Sequence, residues 1–163
     1  MTVTFTGTPL NLSGTQLKVG DTIPEFTVVQ NDLSQLALTD THGVRIFLSV
    51  PSIDTPICEK EVNTFNQRAG EVAGVTVYTI SMDLPFAQAR WCGLNAVKTV
   101  VTASDYKGHE FAKATGTYIN ELGLLTRAAF VVDANNKVVY VEYLSEVTDF
   151  PNYDAILEAA KNA

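Results

Sequence analysis

Residues 46–50, Ile-Phe-Leu-Ser-Val, are apolar at nearly every position, and this run restricts the folds open to the chain. A strand with one wet face alternates, whereas a run this continuous fits a central strand buried on both faces. It ends in the turn Pro51-Ser52-Ile53-Asp54-Thr55-Pro56-Ile57-Cys58. Beyond it, Cys58, Val62, Phe65 and Ala69 recur at helical spacing and share one face, with Glu59, Lys60, Asn63 and Gln67 directed outward. Gly70 and Gly74 bracket the exit, and Val75-Thr76-Val77-Tyr78-Thr79-Ile80 reads as the next strand. Strand, helix, strand is a βαβ unit, with parallel strands and a right-handed crossover, and it places the chain in the α/β class.

The remaining segments fit around that unit. Residues 2–5 alternate polar and apolar, Gly7-Thr8-Pro9 interrupts, and Leu10 and Leu12 resume the alternation, which predicts an N-terminal hairpin within residues 1–16. The β-branched run at 26–30 begins the main sheet. After residue 80, Asp83 is placed to cap a helix with Pro85 in its first turn, Leu84, Ala87 and Trp91 on one face, Cys92 near its far end and Gly93 as a left-handed terminator. A strand at 99–103, a short helix at 109–114 and a loop at 118–125 follow. Arg127 opens the apolar run 128–132, Asn135-Asn136 signals a turn, and 138–143 completes a second hairpin. Tyr153, Ile156, Leu157 and Ala160 mark a closing amphipathic helix. With 163 residues, one domain spanning 1–163 is expected, large enough to bury a core without disulfides or metal.

The turn before the first helix carries the chemistry. Thr55 or Asp54 can cap that helix, and Pro56 suits its first turn because a proline there loses no intrahelical hydrogen bond. Cys58 falls about one turn in, where free backbone N–H groups and the positive end of the helix dipole favour a thiolate. Because Val62 and Phe65 form the buried stripe, the sulfur points into a pocket. A core cysteine needs no Pro-Thr-Pro frame, so Cys58 reads as a reactive thiol rather than as packing. Cys92 has two readings when taken alone, a small residue packed at a helix end or the partner of a first-turn thiol. Arg127 also has two: it pairs with a carboxylate such as Asp133 or Glu142, or it lies near Cys58, holds a thiolate and donates to a substrate oxygen. Spacing does not choose between them.

Composition excludes several classes. A net charge of −7 with no cluster of Lys or Arg argues against a nucleic-acid or anionic-membrane surface. No apolar run approaches a membrane span and the N-terminus lacks a basic-then-apolar leader, so a soluble, cytoplasmic protein is expected. The two cysteines form no C-x-x-C pair, which removes the signature of a general dithiol oxidoreductase. Cys58, Cys92, His42 and His109 show no ligand spacing that would make a zinc site.

Pro51, Thr55 and Cys58 fit the pattern Pro-x-x-x-Thr/Ser-x-x-Cys, and other segments agree in order: Phe5-x-Gly7-x-Pro9-Leu10, Val19-Gly20-Asp21, Glu61-Val62 through Phe65-Asn66, Ser81-Met82-Asp83-Leu84-Pro85-Phe86-Ala87 leading to Cys92-Gly93, and Arg127 before an apolar strand. On these residues the chain resembles the bacterial thiol peroxidases, which are atypical two-cysteine peroxiredoxins. The match runs the length of the chain, with local variation at Trp91 and at Glu59-Lys60. The resemblance implies a thioredoxin-like fold: a central mixed sheet flanked by helices, with an N-terminal β-hairpin. It implies Cys58 as peroxidatic thiolate, Thr55 hydrogen-bonding sulfur and peroxide, Pro51 shielding the site, and Arg127 stabilising the thiolate and the leaving oxygen. Cys92 would resolve the Cys58 sulfenic acid as an intramolecular disulfide that thioredoxin reduces. It further implies hydrogen peroxide or organic hydroperoxides as substrates, a homodimer, and no metal, flavin or haem cofactor. A redox sensor that keeps both cysteines without turnover is the rival reading, and steady-state peroxide consumption separates the two.

Overall fold

A computed structural model describes residues 1–163. A hairpin of β1 (Thr2–Phe5) and β2 (Thr8–Ser13) opens the chain, as its alternation predicts, and β3 (Thr27–Gln30) and β4 (Gln35–Ala37) form a second antiparallel pair. The βαβ unit follows as β5 (Val44–Ser49), α1 (Pro56–Arg68) and β6 (Val75–Ser81). Next come α2 (Pro85–Leu94), β7 (Val100–Ser104), α3 (Glu110–Thr115), β8 (Tyr118–Ile119) and β9 (Leu124–Leu125). The chain closes with β10 (Ala128–Val132), β11 (Val138–Tyr143) and α4 (Tyr153–Lys161).

Seven strands form one mixed sheet in the order β11-β10-β5-β6-β7-β3-β4, with β5, β6 and β7 parallel and the outer pairings antiparallel. The continuous apolar character of β5 is explained by its neighbours. Ile46, Leu48 and Val50 join Val62 and Phe65 of α1, Trp91 of α2, and Ile156 and Leu157 of α4 in one core, while Phe47 joins Phe26, Phe111 and Phe130 on the opposite face beneath α3. Both faces are therefore dry, and the parallel strands need no polar alternation.

The structure corrects three local expectations. Residues 118–125 are not a plain loop, because β8 pairs with β2 and β9 to extend the hairpin into a four-stranded sheet, β1-β2-β8-β9. Two-residue strands give too short a periodicity to read. The buried face of α2 is Pro85, Gln88 and Trp91 rather than Leu84, Ala87 and Trp91; Leu84 lies outside the first turn as N-cap and is 51% exposed. Gly93 does not end α2. The helix continues to Leu94, and the left-handed residue is Ala96 (φ 51°). Left-handed glycine does appear at the end of α3, where Gly116 (φ 64°) lies so close to Thr15 that a Cβ would sit 2.6 Å from its carbonyl oxygen.

Candidate active site

Antiparallel pairing sets Ala128 of β10 opposite Ser49 of β5, so Arg127 stands beside the C-terminal end of the central strand, where the turn to α1 begins. Sites in open α/β sheets gather at such strand ends. The turn brings Thr55 to the N-cap of α1 with extended backbone (φ −122°, ψ 146°) and Pro56 to the first helical position. Thr55 does not cap with its side chain; its hydroxyl donates to the Ser52 carbonyl oxygen at 2.9 Å. The turn is closed locally, and the orphan N–H groups of the first helical turn stay free of a side-chain acceptor.

Cys58 lies in that first turn and is fully buried. The Arg127 Nη2 group donates to its sulfur at 3.0 Å. The guanidinium makes two further bonds: Nη1 donates to Glu61 Oε2, and Nε donates to the Val147 carbonyl oxygen at 2.9 Å. The hairpin holds this last acceptor in place, since Val147 N–H donates to the Thr4 carbonyl oxygen at 2.8 Å and its side chain packs with Val3, Leu10 and Leu12. Both alternatives for Arg127 are therefore realised at once, with Glu61 as the carboxylate in place of Asp133 or Glu142. Asp133 caps its own turn through the N–H groups of Asn135 and Lys137, and Glu142 accepts from Tyr140 and from Asn152 N–H.

Glu61 is the site residue that helical periodicity passed over. It follows Cys58 by one turn on the same face, and its side chain is fully buried. A buried carboxylate is tolerated only with a partner, and Arg127 is that partner. Burial pushes its carboxyl from an ordinary 4.5 up to about 7, against the pull of the guanidinium beside it. The available signal was a Glu three residues after a first-turn Cys, a position that must face inward if Cys58 and Val62 do.

A pocket of about 330 Å³, with Phe5, Pro51, Thr55, Arg127 and Val147 among its walls, opens at this point. Cys58 is not itself a wall residue. Arg127 belongs both to the pocket wall and to the first contacts of the sulfur. A small polar molecule in this pocket meets a cation, the Thr55 hydroxyl and otherwise apolar surface.

Asp83 does not cap α2 as its position suggests. Its carboxylate accepts from Ser52 Oγ (2.6 Å), Ile53 N–H (2.8 Å) and Ser81 Oγ (2.6 Å), tying the turn before Cys58 to the end of β6. Cys92, in the last turn of α2, is half-buried and lies 3.2 Å from Thr102 Oγ1 and 3.8 Å from Asn31 Nδ2. Both thiols are free. Each sulfur has its own set of partners, and no group of three or more His, Cys, Asp or Glu side chains converges anywhere in the fold.

The pKa of Glu61 carries a stability consequence. Between about 4.5 and about 7 the folded protein binds a proton at Glu61 that the unfolded chain has released. Stability at this site is therefore full below about pH 4.5 and is lost as pH rises through about 7. Glu61→Gln should flatten that part of the stability profile, measured by chemical denaturation across the same range. An unchanged slope would show that Glu61 is not the titrating group.

Known proteins resemble this chain over most or all of its length. A family model described as Redoxin matches residues 18–157. The thiol peroxidase of Clostridium acetobutylicum is 58% identical over 163 residues, which is 100% of this chain and 99% of that protein. The thiol peroxidase of Bacillus subtilis is 51% identical over 160 residues, covering 98% of this chain and 96% of that one. Among solved structures, a peroxiredoxin-like protein from Aquifex aeolicus superposes with a TM-score of 0.91 at 39% identity, covering 99% of this chain and 96% of that one.

Proposed function

This chain belongs to the thiol peroxidases of the Redoxin family, and we propose that it carries out thiol-dependent peroxide reduction with Cys58 as the nucleophile and Cys92 as the resolving thiol. The observation that carries the residue assignment is the double position of Arg127, on the pocket wall and 3.0 Å from the Cys58 sulfur.

In the first step the Cys58 thiolate attacks the terminal oxygen of a hydroperoxide. An S–O bond forms, the O–O bond breaks, and the departing oxide takes a proton to leave as water or an alcohol. Arg127 is placed to hold negative charge on sulfur before the attack and on the leaving oxygen during it, in a pocket that Pro51 and Phe5 help to line. Thr55 retains lone pairs with which to accept from the peroxide hydroxyl while its own proton stays on Ser52. In the second step the Cys92 thiol attacks the Cys58 sulfenic acid, an S–S bond forms and water leaves. An external dithiol of the thioredoxin type then reduces the disulfide by exchange. Hydrogen peroxide and organic hydroperoxides both fit a pocket that is apolar around one cation. Free thiols suit a reducing, cytoplasmic setting. No helix is long and apolar enough to cross a membrane. A homodimer completes the reading.

Two measurements made together test it: peroxide consumption coupled to thioredoxin and its reductase, and peptide mapping after one equivalent of peroxide. Sustained turnover with a Cys58–Cys92 disulfide is expected. Disulfide formation without turnover would identify a sensor, and turnover with no such disulfide would remove Cys92 from the mechanism.

A further inference from the structure

Resolution requires that the Cys58 and Cys92 sulfurs leave their present partners, so whatever holds α2 on the sheet opposes the second chemical step. The hold is unusual. A helix on a sheet is normally fastened by an apolar stripe. Here Phe86 and Leu94 are 67% and 79% exposed, no side chain caps the N-terminus, and the buried residues are only Pro85, Gln88 and Trp91. The middle one is an amide with no exposed surface.

Gln88 Nε2 donates to Ser81 Oγ at 3.0 Å and to the Ala103 carbonyl oxygen at 2.8 Å, so one side chain bonds α2 to the ends of both β6 and β7. Cys92 lies one turn further along the same face. Its own contact, Thr102 Oγ1, is the neighbour of Ala103 on β7. From Ser81 the bonds continue: its hydroxyl donates to Asp83 Oδ2, the oxygen that also accepts from Ile53 N–H in the turn before Cys58. A continuous line of buried and half-buried hydrogen bonds thus joins the helix of one cysteine to the turn of the other.

We propose that Gln88 is a positioning residue for the resolving step, a latch whose two bonds set how readily α2 releases Cys92 to the Cys58 sulfenic acid. The proposal rests on the assignment of Cys58 and Cys92 given above. It follows that the latch acts on the step after peroxide attack and not on the attack itself. While the latch is closed the sulfenic acid waits, exposed to a second peroxide that would carry it to sulfinic acid.

Gln88→Leu removes both donors at similar volume, and Gln88→Met does so with an unbranched chain should leucine disturb folding. Trp91 is the single tryptophan, sits beside Cys92, and reports movement of α2 in stopped-flow fluorescence. In either variant the second-order constant for peroxide attack should match the native protein. The first-order rate of disulfide formation should rise by roughly thirtyfold, the factor expected for loss of two buried neutral hydrogen bonds of ordinary strength. The peroxide concentration that produces sulfinic acid should rise in parallel, as mass spectrometry would detect. A merely structural glutamine would lower the melting temperature and leave both the partition to sulfinic acid and the ratio of the two rates unchanged. That result, or a slower resolving step, overturns the proposal while the disulfide still maps to Cys58–Cys92. Absence of that disulfide in the native protein would instead show that the cysteine assignment beneath it is wrong, and would overturn both.

Discussion

Cys58→Ser is expected to abolish peroxide reduction, whereas Cys92→Ser is expected to retain one stoichiometric turnover and lose thioredoxin-linked cycling. A serine hydroxyl placed against Arg127 keeps the hydrogen bond but not the anion, since an alcohol holds its proton at any pH the protein survives. Loss of activity should therefore be complete with the fold intact, because the replacement nearly preserves volume at a buried position. Cys92 lines a different pocket and contacts Thr102 and Asn31 rather than Arg127 or Thr55, so its removal should leave Arg127, Thr55 and the Cys58 sulfur as they are. A burst of one peroxide per chain, followed by arrest as the sulfenic acid until a second peroxide carries it to sulfinic acid, is the corresponding signature. Equal loss of the burst in both variants would contradict the division of labour.

The parts of this site that could be read before the structure are those written in local sequence. The βαβ unit, the first-turn position of Cys58 and the terminal hairpin follow from periodicity and from Pro, Gly and Thr at turn positions, each set by near neighbours in the chain. What could not be read depends on contacts between distant segments. Arg127 chooses Glu61 over Asp133 or Glu142 because β10 lies antiparallel to β5 at a particular register, and spacing does not contain that register. Asp83 has the composition of a helix cap but is claimed by the Ser52-Ile53 turn across the strand ends. The same competition displaced the predicted face of α2. Hydrophobic pattern favours Leu84 and Ala87, but a buried amide with two acceptors waiting on β6 and β7 rotates Gln88 inward. In each case a polar side chain met a partner that only tertiary structure supplies, and that contact overrode a local preference.

Arg127→Ala should be the most revealing single change, because it separates two consequences that the native protein combines. Chemically, it removes the donor to the Cys58 sulfur and, in the proposed mechanism, to the leaving oxygen, so the second-order constant for peroxide attack should fall by a factor on the order of 100, as when one preorganised donor is lost from an anion-stabilising site. Structurally, it leaves Glu61 buried with no counter-ion, at a cost of roughly 3–5 kcal/mol while that carboxylate stays ionised. The two effects respond differently to pH. With the guanidinium gone, only desolvation acts strongly on Glu61, so its carboxyl moves above the native value of about 7 and the side chain becomes neutral at neutral pH. The stability deficit of Arg127→Ala should therefore be small in mild acid and grow as pH rises, whereas the deficit in attack rate should persist throughout. Arg127→Ala combined with Glu61→Gln makes the separation complete, since a neutral amide at position 61 no longer needs the cation. The double variant should recover most of the stability at high pH and none of the rate, by denaturation and by stopped-flow peroxide attack respectively. Arg127→Lys is not a substitute, because a single ammonium cannot hold the sulfur, the carboxylate and the Val147 carbonyl at once. A folded Arg127→Ala protein that attacks peroxide at the native rate would reduce Arg127 to a counter-ion for Glu61 and leave the chemistry of Cys58 to the helix terminus alone.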